Sequence, residues 1–173
     1  DQLAEYLSTG WHKLHGAAAG PMADVAKNLG QASKNEVHAI ATYVASLSPP
    51  DNKTAIVTDN GEKSQPADIV EIYAGACAKC HNDRNDVGPS KALSLSLSTA
   101  VQQGDPANTV RVILHGIQSY RTGGGPYMPA FDAILTDTQI ADITQYIRAR
   151  YTNQPQWADI KTEVIKARQE AQP

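Results

Sequence analysis

Two cysteines three positions apart, followed at once by a histidine, constrain this chain more than any other feature: Cys77-Ala78-Lys79-Cys80-His81. They are the only cysteines in 173 residues, so neither a disulfide framework nor a four-cysteine metal site can be built from this chain alone. The pattern is that of covalent c-type haem attachment. On the last turn of a helix, two thiols three residues apart reach the two vinyl groups of one porphyrin as thioethers, and the adjacent imidazole turns onto the iron. A thioredoxin-type redox pair also uses C-x-x-C, but it wants a βαβ setting with a strand ahead of the motif. Here Ile69, Ile72, Tyr73 and Ala76 trace one face of a helix that begins after Pro66 and leads into the cysteines. A zinc site would need a fourth ligand beyond His81.

The sixth position of a haem iron attached in this way is usually filled by methionine or histidine, and a thioether favours Fe(II). The chain has two methionines. Met128 lies in Gly123-Gly124-Gly125-Pro126-Tyr127-Met128-Pro129, between two predicted helices. Glycines let such a segment bend closely over a flat macrocycle, and the flanking prolines hold it extended. As a core gap-filler, the other role for a methionine, Met128 would pack poorly in this setting. His115 is its main competitor, although beside Leu114 on a helix it also reads as a packing residue. His12, His15 and His38 have no ligand spacing with a carboxylate or cysteine and read as surface or packing residues. Gly123 to Gly125 do not form a phosphate loop, because no Lys-Ser/Thr follows and no strand precedes.

The rest of the chain reads as helical. Ser33-Lys34-Asn35-Glu36 and Thr136-Asp137-Thr138-Gln139 fit the capping box, in which the hydroxyl and the reciprocal side chain satisfy free backbone N–H groups. Val37, Ile40, Ala41, Val44 and Leu47 follow the first box at helical spacing. Ile140, Ile143, Ile147 and Tyr151 follow the second, with Arg148 and Arg150 set against the C-terminal dipole. Asp105-Pro106 supplies an N-cap and a first-turn proline for a helix striped by Val110, Ile113, Leu114 and Ile117, which Gly116 can end. Leu93, Leu95 and Leu97 alternate with serines, yet a short alternation without a pairing partner reads as loop or irregular helix. Residues 48 to 66 are rich in turn formers and charge and read as a linker. In the tail, Trp157, Ile160, Val164 and Ile165 fit either a short docked helix or a loose end.

An internal similarity adds to this. Gly20-Pro21-Met22, a bridge, a capping box and a helix of pattern VxxIxxYVxSL match Gly125-Pro126-Tyr127-Met128, a shorter bridge, a capping box and IxxIxxYIxAR. Nothing before Met22 matches the cysteine-bearing part. Residues 1–48 are therefore expected to be the back half of a unit without its attachment motif, 49–66 a linker, 67–151 a complete unit and 152–173 a tail.

Composition removes several function classes. One Phe and 6 % aromatic residues leave a core short of large side chains, which a covalently held porphyrin would supply. No run of apolar letters exceeds three, so no segment resembles a membrane span or a signal-peptide core. Acids and bases nearly balance in every stretch of the chain, which has a net charge of −3. That excludes both the basic footprint of a nucleic-acid partner and a polybasic membrane anchor.

With CAKCH near a first helix, Gly88-Pro89 shortly after it, a GPYMP loop and a final amphipathic helix, residues 66 to 151 resemble class I cytochromes c. The resemblance implies an all-α fold around one covalent haem c, with Cys77 and Cys80 as attachment sites and His81 and Met128 as axial ligands. It also implies that the Pro89 carbonyl holds the other imidazole nitrogen. A narrower resemblance rests on YLSTGWHKLHGAAAGPMADV, LSLSTAVQQGDPANTVRVILHGI and PYMPAFDAILTDTQIADITQYIRARY. These are similar to the multi-haem cytochrome subunits of bacterial membrane-associated dehydrogenases, first those serving molybdenum hydroxylases such as nicotinate, isoquinoline and aldehyde dehydrogenases. Flavin- or quinone-dependent alcohol and sugar-acid dehydrogenases come next. Such subunits carry three haem domains in series, and this chain lacks the first and the front of the second. A haem count of one is expected, and Met22 matches a ligand position without an attachment site.

The resemblance implies a periplasmic protein that passes electrons from a dehydrogenase catalytic subunit to a respiratory acceptor, with a signal peptide upstream of or removed from this chain. A six-coordinate iron performs no bond chemistry, so the polypeptide would set potential, burial and docking. A peroxidase or reductase would need an open sixth site with acid–base residues above it, for which His115 and Arg121 are the candidates. A haem-based sensor would need a weak sixth ligand.

Overall fold

The computed structural model describes residues 1–12, 16–47, 66–81, 94–118 and 127–170. Pro89, Arg121, His15 and the glycines 123–125 lie outside the described residues. So do Leu93, the whole 49–65 stretch read as a linker, and Pro126.

Among the described residues the regular elements are helices, apart from a small antiparallel pair, β1 (Trp11–His12) and β2 (Gly16–Ala17), and an isolated bridge between Ile117 and Met128. In the N-terminal part, α1 (Gln2–Thr9) and α2 (Pro21–Leu29) precede α3 (Lys34–Ser46). Ser33 opens α3 through the expected reciprocal box: the Glu36 N–H donates to Ser33 Oγ, and the Ser33 N–H donates to the Glu36 carboxylate. The Ser33 hydroxyl, donating to the Glu36 carboxylate at 2.7 Å, and then the Ser33 N–H hold that carboxyl below its usual range. Leu7, Val37 and Ala41 form a small core, with Met22 and Leu29 packed on its edge. The sequence reading does not single out α2: Pro21 starts the helix, where its missing N–H costs nothing, and carries Met22 into the first turn. The counterpart stretch around Met128 is extended, so the two Gly-Pro segments differ in backbone despite their shared letters.

The second group begins with α4 (Ala67–Ala76) and the single turn α5 (Ala78–His81). The serine–leucine stretch forms a 3₁₀ turn at Leu95–Leu97, as irregular helix rather than strand. It leads into α6 (Thr99–Gln102) and α7 (Ala107–His115). α7 starts one residue later than the sequence suggests, with Pro106 at the cap position and the Asp105 carboxylate accepting from the Ala107 N–H at 2.9 Å. The Thr136–Gln139 box opens α8 (Asp137–Tyr151), the most buried helix, with Ile140, Ile143, Tyr146, Ile147 and Tyr151 all inside. The tail forms α9 (Ile160–Glu170), which packs on α7 and α8 through Ile160, Val164 and Ala167. Ile165, expected on the docking face, is instead 45 % exposed, because Ala167 continues the buried stripe from Val164. One hydrophobic core therefore runs from Ile69 to Ala167.

Candidate haem site

The cysteine motif sits where α4 gives way to α5. Cys77 caps α4 with its N–H donating to the Tyr73 carbonyl at 2.9 Å, and the N–H groups of Cys80 and His81 both donate to the Cys77 carbonyl. One compact turn thus carries both sulfurs and the imidazole. Cys77 is half-buried and Cys80 exposed. Burial, with Cys80 beside it, pushes the Cys77 thiol up to about 11.

Below this turn lies a tyrosine cluster that the sequence alone does not reveal. The Tyr73 and Tyr151 hydroxyls are 2.6 Å apart in the interior, and both lie 3.4 Å from the His81 carbonyl. One hydroxyl donates to the other, and the His81 carbonyl lies within reach of both. Burial, then the bond to Tyr151, pushes the Tyr73 phenol well up, which keeps it a donor. The guanidinium of Arg150 lies over the rings of Tyr73, Tyr146 and Tyr151 at 5.2 to 5.8 Å and donates to the Tyr146 hydroxyl at 2.6 Å. Arg150, read from the sequence only as a dipole partner, is thus also the lid of an aromatic stack joining α4 to α8.

The methionine is held from the other side. Gly116 ends α7 with φ +69, a conformation that suits glycine, and a Cβ there would meet the Met128 carbonyl oxygen at 2.3 Å. This close approach lets Ile117 and Met128 exchange two backbone hydrogen bonds, of 2.9 and 3.0 Å. Beyond Met128, the Phe131 N–H donates to the Ile113 and Leu114 carbonyls and the Asp132 N–H to Leu114. The end of α7 therefore orders the methionine segment by satisfying carbonyls that a helix C-terminus leaves open.

These two constructions face one cavity of about 530 Å³, lined by Cys77, Cys80, His81 and Met128 and walled by Ile113 and Ile143. Its size falls within the roughly 300–1,000 Å³ of pockets that enclose a cofactor-sized ligand. Trp11 and Met22 of the N-terminal part line the same space. The donor set of two sulfurs, one imidazole and one thioether against apolar walls fits a covalently held haem. Among the described residues no group of three or more His, Cys, Asp or Glu could hold a metal ion. His115 also lines the cavity, half-buried. His12 is buried in the N-terminal part and His38 is exposed.

Comparison with known proteins gives the class. Residues 64–147 match the family model described as cytochrome C oxidase, cbb3-type, subunit III. A cytochrome c6 from Synechocystis is 32 % identical over half of this chain and 69 % of its own length. The chain belongs to the cytochrome c family and carries covalent c-type haem. Two longer relatives match nearly all of it. A nicotinate dehydrogenase subunit of Pseudomonas putida is 35 % identical over 97 % of this chain and 14 % of that protein. The gluconate 2-dehydrogenase cytochrome c subunit of Pantoea cypripedii is 30 % identical over 88 % of this chain and 37 % of that subunit. The chain thus spans well under half the length of these dehydrogenase relatives. No described helix is long and apolar enough to cross a membrane.

Proposed function

We propose that Cys77 and Cys80 hold the haem as thioethers, that His81 and Met128 are its axial ligands, and that the Pro89 carbonyl steadies the His81 ring. The observation that carries this reading is the convergence of Cys77, Cys80, His81 and Met128 on one largely apolar cavity. The haem supplies a one-electron Fe(III)/Fe(II) couple. The chain's own residues do the rest. The turn from Cys77 to His81 presents both sulfurs and the imidazole together, the Tyr73–Tyr151 pair steadies the His81 backbone, and the Ile117–Met128 bridge aims the thioether. Ile113, Ile143 and their neighbours keep water out, which lowers the reorganisation that a charge change demands.

The electron donor in this reading is a dehydrogenase catalytic subunit and the acceptor a respiratory carrier in the periplasm. The dehydrogenase subunits among the relatives support it. Residues 1–48 form the rear of a second cytochrome unit. In α8, Ile143, Tyr146 and Ile147 are buried, with the Tyr73 ring 4.9 Å from that of Tyr146. At the matching α3 positions Ile40, Tyr43 and Val44 are 39–66 % exposed, the face that a helix like α4 would cover.

Wild-type ferric protein is expected to show the far-red sulfur-to-iron band of His/Met ligation, and its ferrous form to bind carbon monoxide slowly. Met128→Ala should lose the band and bind carbon monoxide rapidly. An unchanged band in Met128→Ala would remove Met128 from the iron and point to Met22, the other methionine lining the cavity, whereas a wild-type ferric spectrum without the band would reopen His115 as the sixth ligand.

A further inference from the structure

The family match ends at residue 147, before α9 begins at Ile160, yet α9 reaches back to the methionine segment. Its contact is made by Arg168. The guanidinium donates to the Asp137 carboxylate through Nε at 2.7 Å, to the Leu135 carbonyl through Nη2 at 3.0 Å, and to the Asp132 carbonyl through Nη1. These three acceptors span the turn that follows Met128 and the first residue of α8. The same turn is tied at its start to α7, through the Phe131 and Asp132 N–H groups, and internally by the Leu135 N–H donating to the Phe131 carbonyl at 2.9 Å. The segment carrying Met128 is thus fastened by backbone bonds on one side and by one forked cation on the other. A planar guanidinium can serve all three acceptors at once, which a lysine ammonium cannot do in the same geometry.

We infer that α9 is a brace for the sixth ligand, with Arg168 as a positioning residue that sets how firmly Met128 stays on the iron. This rests on Met128 being that ligand. Release of Met128 requires the 128–136 segment to swing away, and Arg168 resists that movement where the segment joins α8. Arg111 is the natural comparison. It also ties α9 to the body, pairing from α7 with Glu170 at 2.6 Å and Glu163 at 3.8 Å, but it makes no bond to the 132–137 turn. The two arginines therefore separate docking of α9 from control of the methionine.

The test compares full-length, haem-loaded Arg168→Ala, Arg168→Lys and Arg111→Ala with wild type. Arg168→Ala should bind carbon monoxide in the ferrous state about tenfold faster, weaken the far-red band and lower the reduction potential. Arg168→Lys should fall between it and wild type. Arg111→Ala should lower the melting temperature while leaving the far-red band as in wild type; Arg111 also lines the cavity, so the band and not the potential is compared between the two arginines. Equal weakening of the far-red band by Arg168→Ala and Arg111→Ala would reduce α9 to general packing and overturn the brace. If Arg168→Ala does not fold, wild-type behaviour of Arg168→Lys would overturn it as well. Met128→Ala separates the two readings: if it keeps the far-red band, the ligand assignment fails, and if it loses the band while Arg168→Ala does not weaken it, only the brace fails.

Discussion

At the scale of single residues, the site depends on a glycine as much as on its sulfur and nitrogen donors. Gly116 combines a positive φ with a carbonyl approach that no side chain tolerates. A Cβ there would meet the Met128 oxygen at 2.3 Å and the Ala130 nitrogen at 2.8 Å, both backbone atoms that cannot rotate aside. Gly116→Ala should cost about 2 kcal/mol or more, from the left-handed backbone together with the displaced bridge. Because the displaced atoms belong to Met128 and its neighbours, the far-red band should weaken along with stability. Chemical denaturation and ferric absorption spectra measure the two effects. A fully stable Gly116→Ala with an intact band would mean that the Ile117–Met128 bridge does not hold the ligand segment.

At the scale of elements, α8 owes its position to a buried cation. Arg148 is 2 % exposed, and burial pulls its guanidinium below the usual range. It donates to the Gln103 carbonyl at 2.8 Å, to the Pro155 carbonyl at 3.0 Å and to the Val101 carbonyl, and it lies 4.3 Å from the centre of the Trp157 ring. The Trp157 indole N–H joins it on Gln103 at 3.0 Å. α6, α8 and the start of the tail thus meet on one side chain. Arg148→Ala would strand several buried carbonyls and should destabilise the protein by about 3 kcal/mol, which lowers the melting temperature by roughly 10 °C at this chain length. Arg148→Lys should recover only part, since one ammonium cannot replace the fork or its stack on Trp157. Calorimetry of the haem-loaded variants checks both. A drop of only a degree or two in Arg148→Ala would show that water satisfies those carbonyls.

At the scale of the whole molecule, the two groups of helices are unequal in what they can hold. The stretch from Ile69 to Ala167 has a continuous core and a cavity bearing both cysteine sulfurs, whereas the N-terminal part has a core of three buried residues and an exposed stripe on α3. Metal analysis against protein mass should therefore return one iron per chain, and a value near two would overturn the reading of residues 1–48 as a rear half without its own attachment site. The cysteine motif, both capping boxes and the helical class were legible in the letters, because each depends on residues within a few positions of one another. Cap hydroxyls act over one turn, thioether spacing over one turn, and amphipathic stripes over the length of one helix. The tyrosine pair, the Arg148 junction and the Arg168 fork were not legible, because each joins residues tens of positions apart whose letters carry no mutual pattern. The tail shows the boundary: its spacing allowed a helix, but only Val164 and Ala167 meeting α7 and α8 decided that it docks, and that Ile165 turns outward. Local hydrogen bonding and covalent spacing belong to the sequence by itself. Which carbonyl a guanidinium finds, and so how the segment carrying Met128 is tied down, is decided only when distant segments are brought together by burial of a shared core.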